Sequence, residues 1–287
     1  MLTTIRPAND WEGGFEEQGW QSWMFLGTED QRRMVLFNGQ GMHLHSLAPD
    51  IASARFAPGD QQHWSERQVI IEAGLITAGT VIEVRQGSRV KGRLHVGVYR
   101  PRQVKVNFYL VKDKPGQLPR FNGAMAQYFM KKITHLHRYQ TNLSFSTHLV
   151  FDDVPIDFDF SKPGPTNDQK LYEMLKAKQR ELDPSPHHYH VFWVKDLSID
   201  DTVTSDTQGE TFVDPDTNRG DVIVLEDTVY WSGEIVNLAH ELCHALGANH
   251  DDAHDDALMN SANNNGGRKI YKNTLEQMRG TVHELTY

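Results

Sequence analysis

Residues 240 to 250 read His-Glu-Leu-Cys-His-Ala-Leu-Gly-Ala-Asn-His. Imidazole nitrogen is a preferred ligand for zinc, and a neutral histidine offers it one lone pair. His240 and His244 are four residues apart, so on a helix they stand one turn above each other on one face. Glu241 is offset from His240 by about 100°. From there it can face a water beside a metal without joining the ligands. Gly247 comes next, and glycine tolerates the left-handed conformation that ends helices. A sharp turn at that point brings His250 back toward the same metal. Three neutral histidines with one position left open make the catalytic form of a zinc site. The two-histidine pattern alone is a weak signal. Gly247 and His250 in place lower its false-positive risk by a factor of about 400 on random-residue odds.

These residues need a helix, and the preceding stretch Glu234 to Ala239 is helix-compatible, with Ser232 as its cap. Upstream, a helix is predicted from Asn122, as cap, to about Tyr139, with Met125, Phe129, Ile133 and Leu136 on one face. Thr141 to Phe151 reads as a strand and Asp168 to Leu182 as a second helix. His190 to Val194 and Asp221 to Leu225 are further strands, and Asn273 to Gly280 is a last helix. Before about Leu110 the chain is β-rich, with runs at Arg33 to Phe37, Gln68 to Glu72, Val81 to Val84, Leu94 to Tyr99 and Val104 to Val111. Gly and Pro clusters separate them, a spacing that suggests a sandwich. Lys112 to Pro119 reads as a linker. The expectation is therefore two domains. Residues 1-112 form an all-β sandwich, 113-119 a linker, and 120-287 an α+β domain carrying the histidines.

The eleven-residue pattern resembles the long zinc signature of the metzincins, HExxHxxGxxH, with every fixed letter matched. Ala257-Leu258-Met259-Asn260-Ser261 resembles the methionine turn that metzincins place under the metal, in its matrixin form. His250-Asp251 is similar to the adamalysin form instead. The resemblance covers roughly Leu118 to Tyr287. It implies a zincin-type catalytic domain whose zinc is held by His240, His244 and His250. In that domain Glu241 is the general base and later the proton donor to the leaving amine, and Met259 is the floor of the site. Two family features are absent from their places. There is no matrixin-type cysteine-switch segment, and no tyrosine follows Met259 closely. The β-rich half resembles a bacterial immunoglobulin-like module.

The 287 residues carry a net charge of -9 and are 38% hydrophobic, the composition of an ordinary folded chain. An acidic surface argues against nucleic acid and anionic membranes as partners, and no long apolar run predicts membrane insertion. Cys243 stands alone, which excludes an intrachain disulfide, and its expected role is a small buried residue of the helix. With no secretory signal at its start, the chain is expected to be secreted by a signal-independent route or else to stay in the cytoplasm. His187, His188 and His190 read as a solvated cluster rather than a second metal site. Asp214 to Asp221 reads as a polar turn before a strand. Asp251, Asp252, Asp255 and Asp256 form an acidic loop, and His283-Glu284 reads as surface.

The reading that follows is a zinc endopeptidase acting on protein or peptide. A secreted bacterial effector or toxin is compatible with it, with secretion machinery or an inhibitor as further partners. Two alternatives stand beside it: a zinc hydrolase cutting cell-wall peptide, and an adhesion or docking module with an inert zinc domain. The loop from Asn260 to Tyr271, rich in Asn and Gly, is where substrate preference is expected to be set.

Overall fold

Side chains in the first hundred residues alternate between apolar and polar, and a strand is the element that sends alternate residues to opposite faces. Every second residue from Gly92 to Val98 is buried, for example, within the strand Arg89–Tyr99. The computed structural model describes residues 4–7, 15–18, 21–61, 64–161, 168–185, 187–197, 209–214, 219–227, 231–261 and 268–282. Among these, nine strands precede Arg102: β1 (Thr4–Pro7), β2 (Phe15–Gln18), β3 (Gln21–Gly27), β4 (Gln31–Phe37), β5 (His43–Ser46), β6 (Ala52–Phe56), β7 (Glu66–Ala73), β8 (Gly79–Gln86) and β9 (Arg89–Tyr99).

They form two sheets, with strand orders β1-β4-β7-β6 and β2-β3-β9-β8-β5. Every pairing is antiparallel except β3 with β9, which is parallel. Met24 and Leu26 of one sheet pack with Leu36 and Ile71 of the other in a shared core that also takes in Ile82, Leu94 and Val96. Two buried carboxylates paired with guanidinium groups brace this unit. Arg67 reaches Asp60 at 2.7 Å and the Met42 carbonyl at 2.9 Å. Glu83 is held by Arg85 and Arg93. The Arg85 hydrogen bond is the main cause that keeps the Glu83 carboxyl below its ordinary pKa, against the opposing effect of burial.

The next strand, β10 (Arg102–Lys112), departs from expectation. The sequence reading assigns Val104 to Val111 to the β-rich half, but β10 lies inside a third sheet. The reason is in its side chains: Val106 to Val111 are all buried, and a strand buried on both faces belongs in the interior of a covered sheet. The chain divides into two compact units at this point. One is Met1–Arg102 with Leu136–Leu143 and Lys269–Lys272, and the other is the remainder. Residues 113–119 are not a free linker, because the Asp113 carboxylate accepts the Gln117 amide at 2.6 Å and Lys114 N–H donates to the Phe158 carbonyl at 3.0 Å.

The second unit is mixed α+β. After β10 come α1 (Gly123–Thr141), β11 (Leu143–Pro155), α2 (Asp168–Leu182), β12 (His188–Val194), β13 (Gly209–Asp214), β14 (Arg219–Glu226), α3 (Trp231–Ala245) and α4 (Lys272–Val282). Asn122 caps α1, accepting the amides of Ala124 and Met125 at 3.1 Å. The helix runs on through Thr141, and Asn142, with φ of 56°, turns the chain into β11. The sheet order is β11-β10-β12-β14-β13. β10, β12 and β14 are parallel, and β13 is an antiparallel edge strand with an irregularity between Phe212 and Val213. Parallel neighbours require long crossovers, which here carry α1 and α2. Phe192, Val194, Val222, Val224, Leu171 and Leu175 fill the core on one side. Trp193 lies on the other side and stacks on Phe121 at 3.8 Å between ring centres.

Candidate metal centre

The helix α3 lies against β13 and β14, and two glycines make that approach close. A Cβ on Gly220 would sit 2.9 Å from the Ala245 Cα and 2.6 Å from the Thr211 Cγ2. A Cβ on Gly209 would sit 2.6 Å from Leu225 Cδ2 and 3.1 Å from Glu241 Cγ. Cβ atoms do not approach backbone this closely, so the strands meet the helix where side chains vanish. Leu238, Ala239, Leu242 and Cys243 form the buried face of α3. The helix begins at Trp231, which places Ser232 within its first turn rather than before it.

The C-terminal end of α3 is closed by paired backbone bonds. Gly247 N–H donates to the His244 carbonyl at 2.8 Å, and Ala248 N–H donates to the Cys243 carbonyl at 2.9 Å. This is the Schellman arrangement, and its left-handed residue is Gly247 with φ of 89°. The chain reverses there and delivers His250 to the face that carries His240 and His244.

The three imidazoles converge through one kind of atom. His244 Nε2 lies 3.1 Å from His240 Nε2 and 3.2 Å from His250 Nε2. All three nitrogens fall within 4.8 Å of one another, the one such cluster of three or more metal-ligating groups among the described residues. In two of the rings the opposite nitrogen is committed elsewhere. His240 Nδ1 donates to the Leu258 carbonyl and His244 Nδ1 to the Ala248 carbonyl, both at 2.7 Å. A neutral ring that donates through Nδ1 presents a lone pair at Nε2. Facing lone pairs at this distance repel unless a cation lies between them. Nitrogens bound tetrahedrally to zinc at 2.0–2.1 Å stand roughly 3.3 Å apart, so the donor set fits that ion. Burial, the leading cause, pushes the His240 pKa down to about 4 and also lowers that of His244. Both shifts favour the neutral ring that a metal requires.

Met259 is buried on a tight turn in which Asn260 N–H donates to the Ala257 carbonyl at 3.2 Å. The turn touches the site through its backbone. Its Leu258 carbonyl orients His240, and its Met259 carbonyl accepts the amide of Asp251, next to His250, at 2.8 Å. From the other side, Gln277 of α4 accepts the amide of Asn249 at 2.9 Å.

Glu241 is buried beside His240, and burial raises its carboxyl to about 7, with the charge of Glu210 adding to the rise. The Thr211 hydroxyl opposes that shift from 2.6 Å away at Oε2. Thr211 was not identified as a site residue from sequence, because β13 itself was not. Its six residues, GETFVD, are too short and too mixed to show a period.

The other sequence candidates fall as follows. Cys243 is fully buried, and burial raises its thiol pKa well above the ordinary value. Of the histidine cluster expected to be solvated, His187 is exposed, His188 is partly buried and His190 is a correction. His190 is 1% exposed, its Nδ1 lies 3.0 Å from the Tyr109 hydroxyl, and burial lowers its pKa to about 3. His188 donates to Asp183 at 2.6 Å. Burial raises the Asp183 pKa, but bonds from His188, the Ser185 amide and Asn107 outweigh it and hold the carboxyl below its ordinary range. These groups are inside because β12 is sandwiched between β10 and β14. In the acidic loop, Asp251 pairs with His254 at 2.9 Å and Asp252 accepts the Ser261 amide at 2.8 Å. His283-Glu284, residues 215–218 of the polar turn and 262–267 of the specificity loop lie outside the described residues.

No family model matches the chain, and no curated protein matches it. Among solved structures it is similar to metalloproteinase-II from Bacteroides fragilis, at 12% identity and a TM-score of 0.44, over 93% of this chain and 90% of that one. It is also similar to a chaperone-substrate complex, at 9% identity and a TM-score of 0.43, over 76% and 38%. With the S-layer protein rSbsC(31-844) the identity is 12% and the TM-score 0.27, over 36% of this chain and 13% of that one. The chain spans about half, 52%, of a chain comprising domains 4 and 5 of the same S-layer protein. At TM-scores below 0.5 these likenesses assign no function. The geometry of the histidines is the stronger ground.

Proposed function

We propose that this chain is a metal-dependent hydrolase and, more narrowly, a zinc endopeptidase of the metzincin type. The observation that carries the reading is the convergence of three Nε2 atoms, with the rings of His240 and His244 locked from behind by backbone carbonyls. Glu241, which holds no metal ligand position in that cluster, stands next to it. His240, His244 and His250 would hold the zinc, which when bound supplies a Lewis acid and an acidified water. Glu241 is the base that takes a proton and returns it to the leaving amine. The buried Met259 supports the floor through the turn that orients His240.

The first unit serves as an accessory immunoglobulin-like module. What supports this is its strand order: β1-β4-β7-β6 corresponds to the ABED sheet of that fold, and β9-β8-β5 to the GFC sheet.

The test is detection of new peptide ends in a denatured protein library by mass spectrometry, with zinc-loaded wild type beside Glu241→Ala. New ends from wild type alone, with one zinc retained by both proteins, are the expected result. Equal cutting by both removes Glu241 from its role. No cutting by either moves the weight to an isolated wall peptide or to an inert domain.

A further inference from the structure

The edge strand β13 turns one face toward Glu241, and two of its residues meet that side chain. Thr211 Oγ1 lies 2.6 Å from Glu241 Oε2 and 3.0 Å from the Glu241 backbone carbonyl. Two residues earlier on the same face, Gly209 leaves the space in which Glu241 Cγ and Oε1 lie. Any larger residue at 209 would crowd that side chain, since a Cβ there falls 3.1 Å from Glu241 Cγ. Glu241 is thus seated on β13, with one oxygen held by a hydroxyl and the other beside a residue without a side chain. The helix alone does not fix this rotamer. A glutamate has three side-chain torsions, and its last one is broad.

We propose that Thr211 is the positioning residue for Glu241. Its hydroxyl donates to Oε2 and so leaves Oε1 as the oxygen that exchanges a proton with the reacting water and the leaving amine. This rests on the reading of Glu241 as general base. The covalent chemistry is unchanged by it. Thr211 neither gains nor loses a proton over the cycle, and its effect is exerted through the orientation of the carboxylate. Base catalysis depends steeply on such placement, and an error of about 1 Å can cost on the order of a hundredfold in rate.

The test uses the full-length zinc-loaded protein with Thr211→Val, which keeps the shape and removes the hydroxyl, and Thr211→Ser, which keeps the hydroxyl. Zinc content by mass spectrometry and the thermal melt are read beside kcat and KM on a peptide found to be cut by wild type. The expected result for Thr211→Val is a kcat lower by about tenfold or more, an unchanged KM, one zinc per chain and an unchanged melting midpoint. Thr211→Ser is expected to restore kcat to within about threefold of wild type, since the donor is back. In the Glu241→Ala background, Thr211→Val is expected to change residual turnover no further. If Thr211→Val cuts like wild type, the positioning role is overturned while the endopeptidase reading stands. If both variants lose zinc or melt early in proportion to their lost rate, the residue is structural and the proposal fails. A wild type that cuts nothing defeats the endopeptidase reading itself, and the role of Thr211 with it.

Discussion

Two histidines of the centre, His240 and His244, are held through the nitrogen that does not face the cluster. Leu258 and Ala248 supply the carbonyls for His240 and His244, so the lone pairs are aimed before any metal arrives. His244→Ala is therefore expected to lose bound zinc by at least about tenfold in affinity. A chelator should lower the melting temperature of wild type but leave that variant unmoved, as differential scanning fluorimetry would read. A second residue-scale consequence concerns His190. Burial lowers its pKa to about 3, while the unfolded imidazole titrates near 6.5. Between those values the unfolded chain binds the extra proton. Stability from this group is whole above pH 6.5 and drains away as pH falls toward 3, by about 1.4 kcal/mol per pH unit. His190→Gln removes the titration. Its urea midpoint should fall less steeply than that of wild type from pH 6.5 to pH 4, and identical slopes would count against the buried assignment.

At the scale of elements, the site depends on how closely α3 can lie on β13 and β14. Gly220 sets that distance, because a Cβ would meet the Ala245 backbone at 2.9 Å. Backbone cannot rotate aside as a long side chain can, so Gly220→Ala must move the helix or the strand. The expected cost is about 1–3 kcal/mol, the range for overpacking a close contact, with loss of zinc affinity because His244 is one residue from the collision. Gly79→Ala is the control, since its nearest atom would be an ordinary 3.9 Å away. Urea unfolding of both variants separates the two. Equal, small effects would show that α3 has room to shift.

At the scale of the molecule, the division between units falls at β10 rather than after it. The first unit also takes in residues that arrive much later in the chain. Within it, Asn142 donates to the Tyr99 carbonyl at 2.7 Å, and Lys272 lies 3.9 Å above the Trp23 ring. A fragment ending at Lys112 would carry β10 without its neighbours, exposing six consecutive residues, Val106 to Val111, that are buried in the whole chain. Unpaired apolar strands associate edge to edge. That fragment should elute as aggregate in size-exclusion chromatography, where a fragment ending at Arg102 gives a higher monomer fraction. The reverse order would restore the boundary expected from sequence.

Several features were legible in the chain alone. The spacing of His240, His244 and His250 carries its own geometry, because helix periodicity and one glycine turn are local properties. The cap at Asn122 and the span of α2 from Asp168 to Leu182 were readable for the same reason. Other features depended on partners distant in sequence. Val104 to Val111 reads as a strand in either half, and only pairing with β12 assigns it to the third sheet. His190 looks polar and exposed until β10 and β14 close over β12. Thr211 is one hydroxyl in an unremarked segment until β13 pairs with β14 and α3 packs across it, thirty residues on. Sequence by itself determined which atoms could bind a metal, since that follows from residue type and local turn. Tertiary structure decided which oxygen of Glu241 is held, which histidines are buried and where the units divide, since each is set by contacts that no local period encodes.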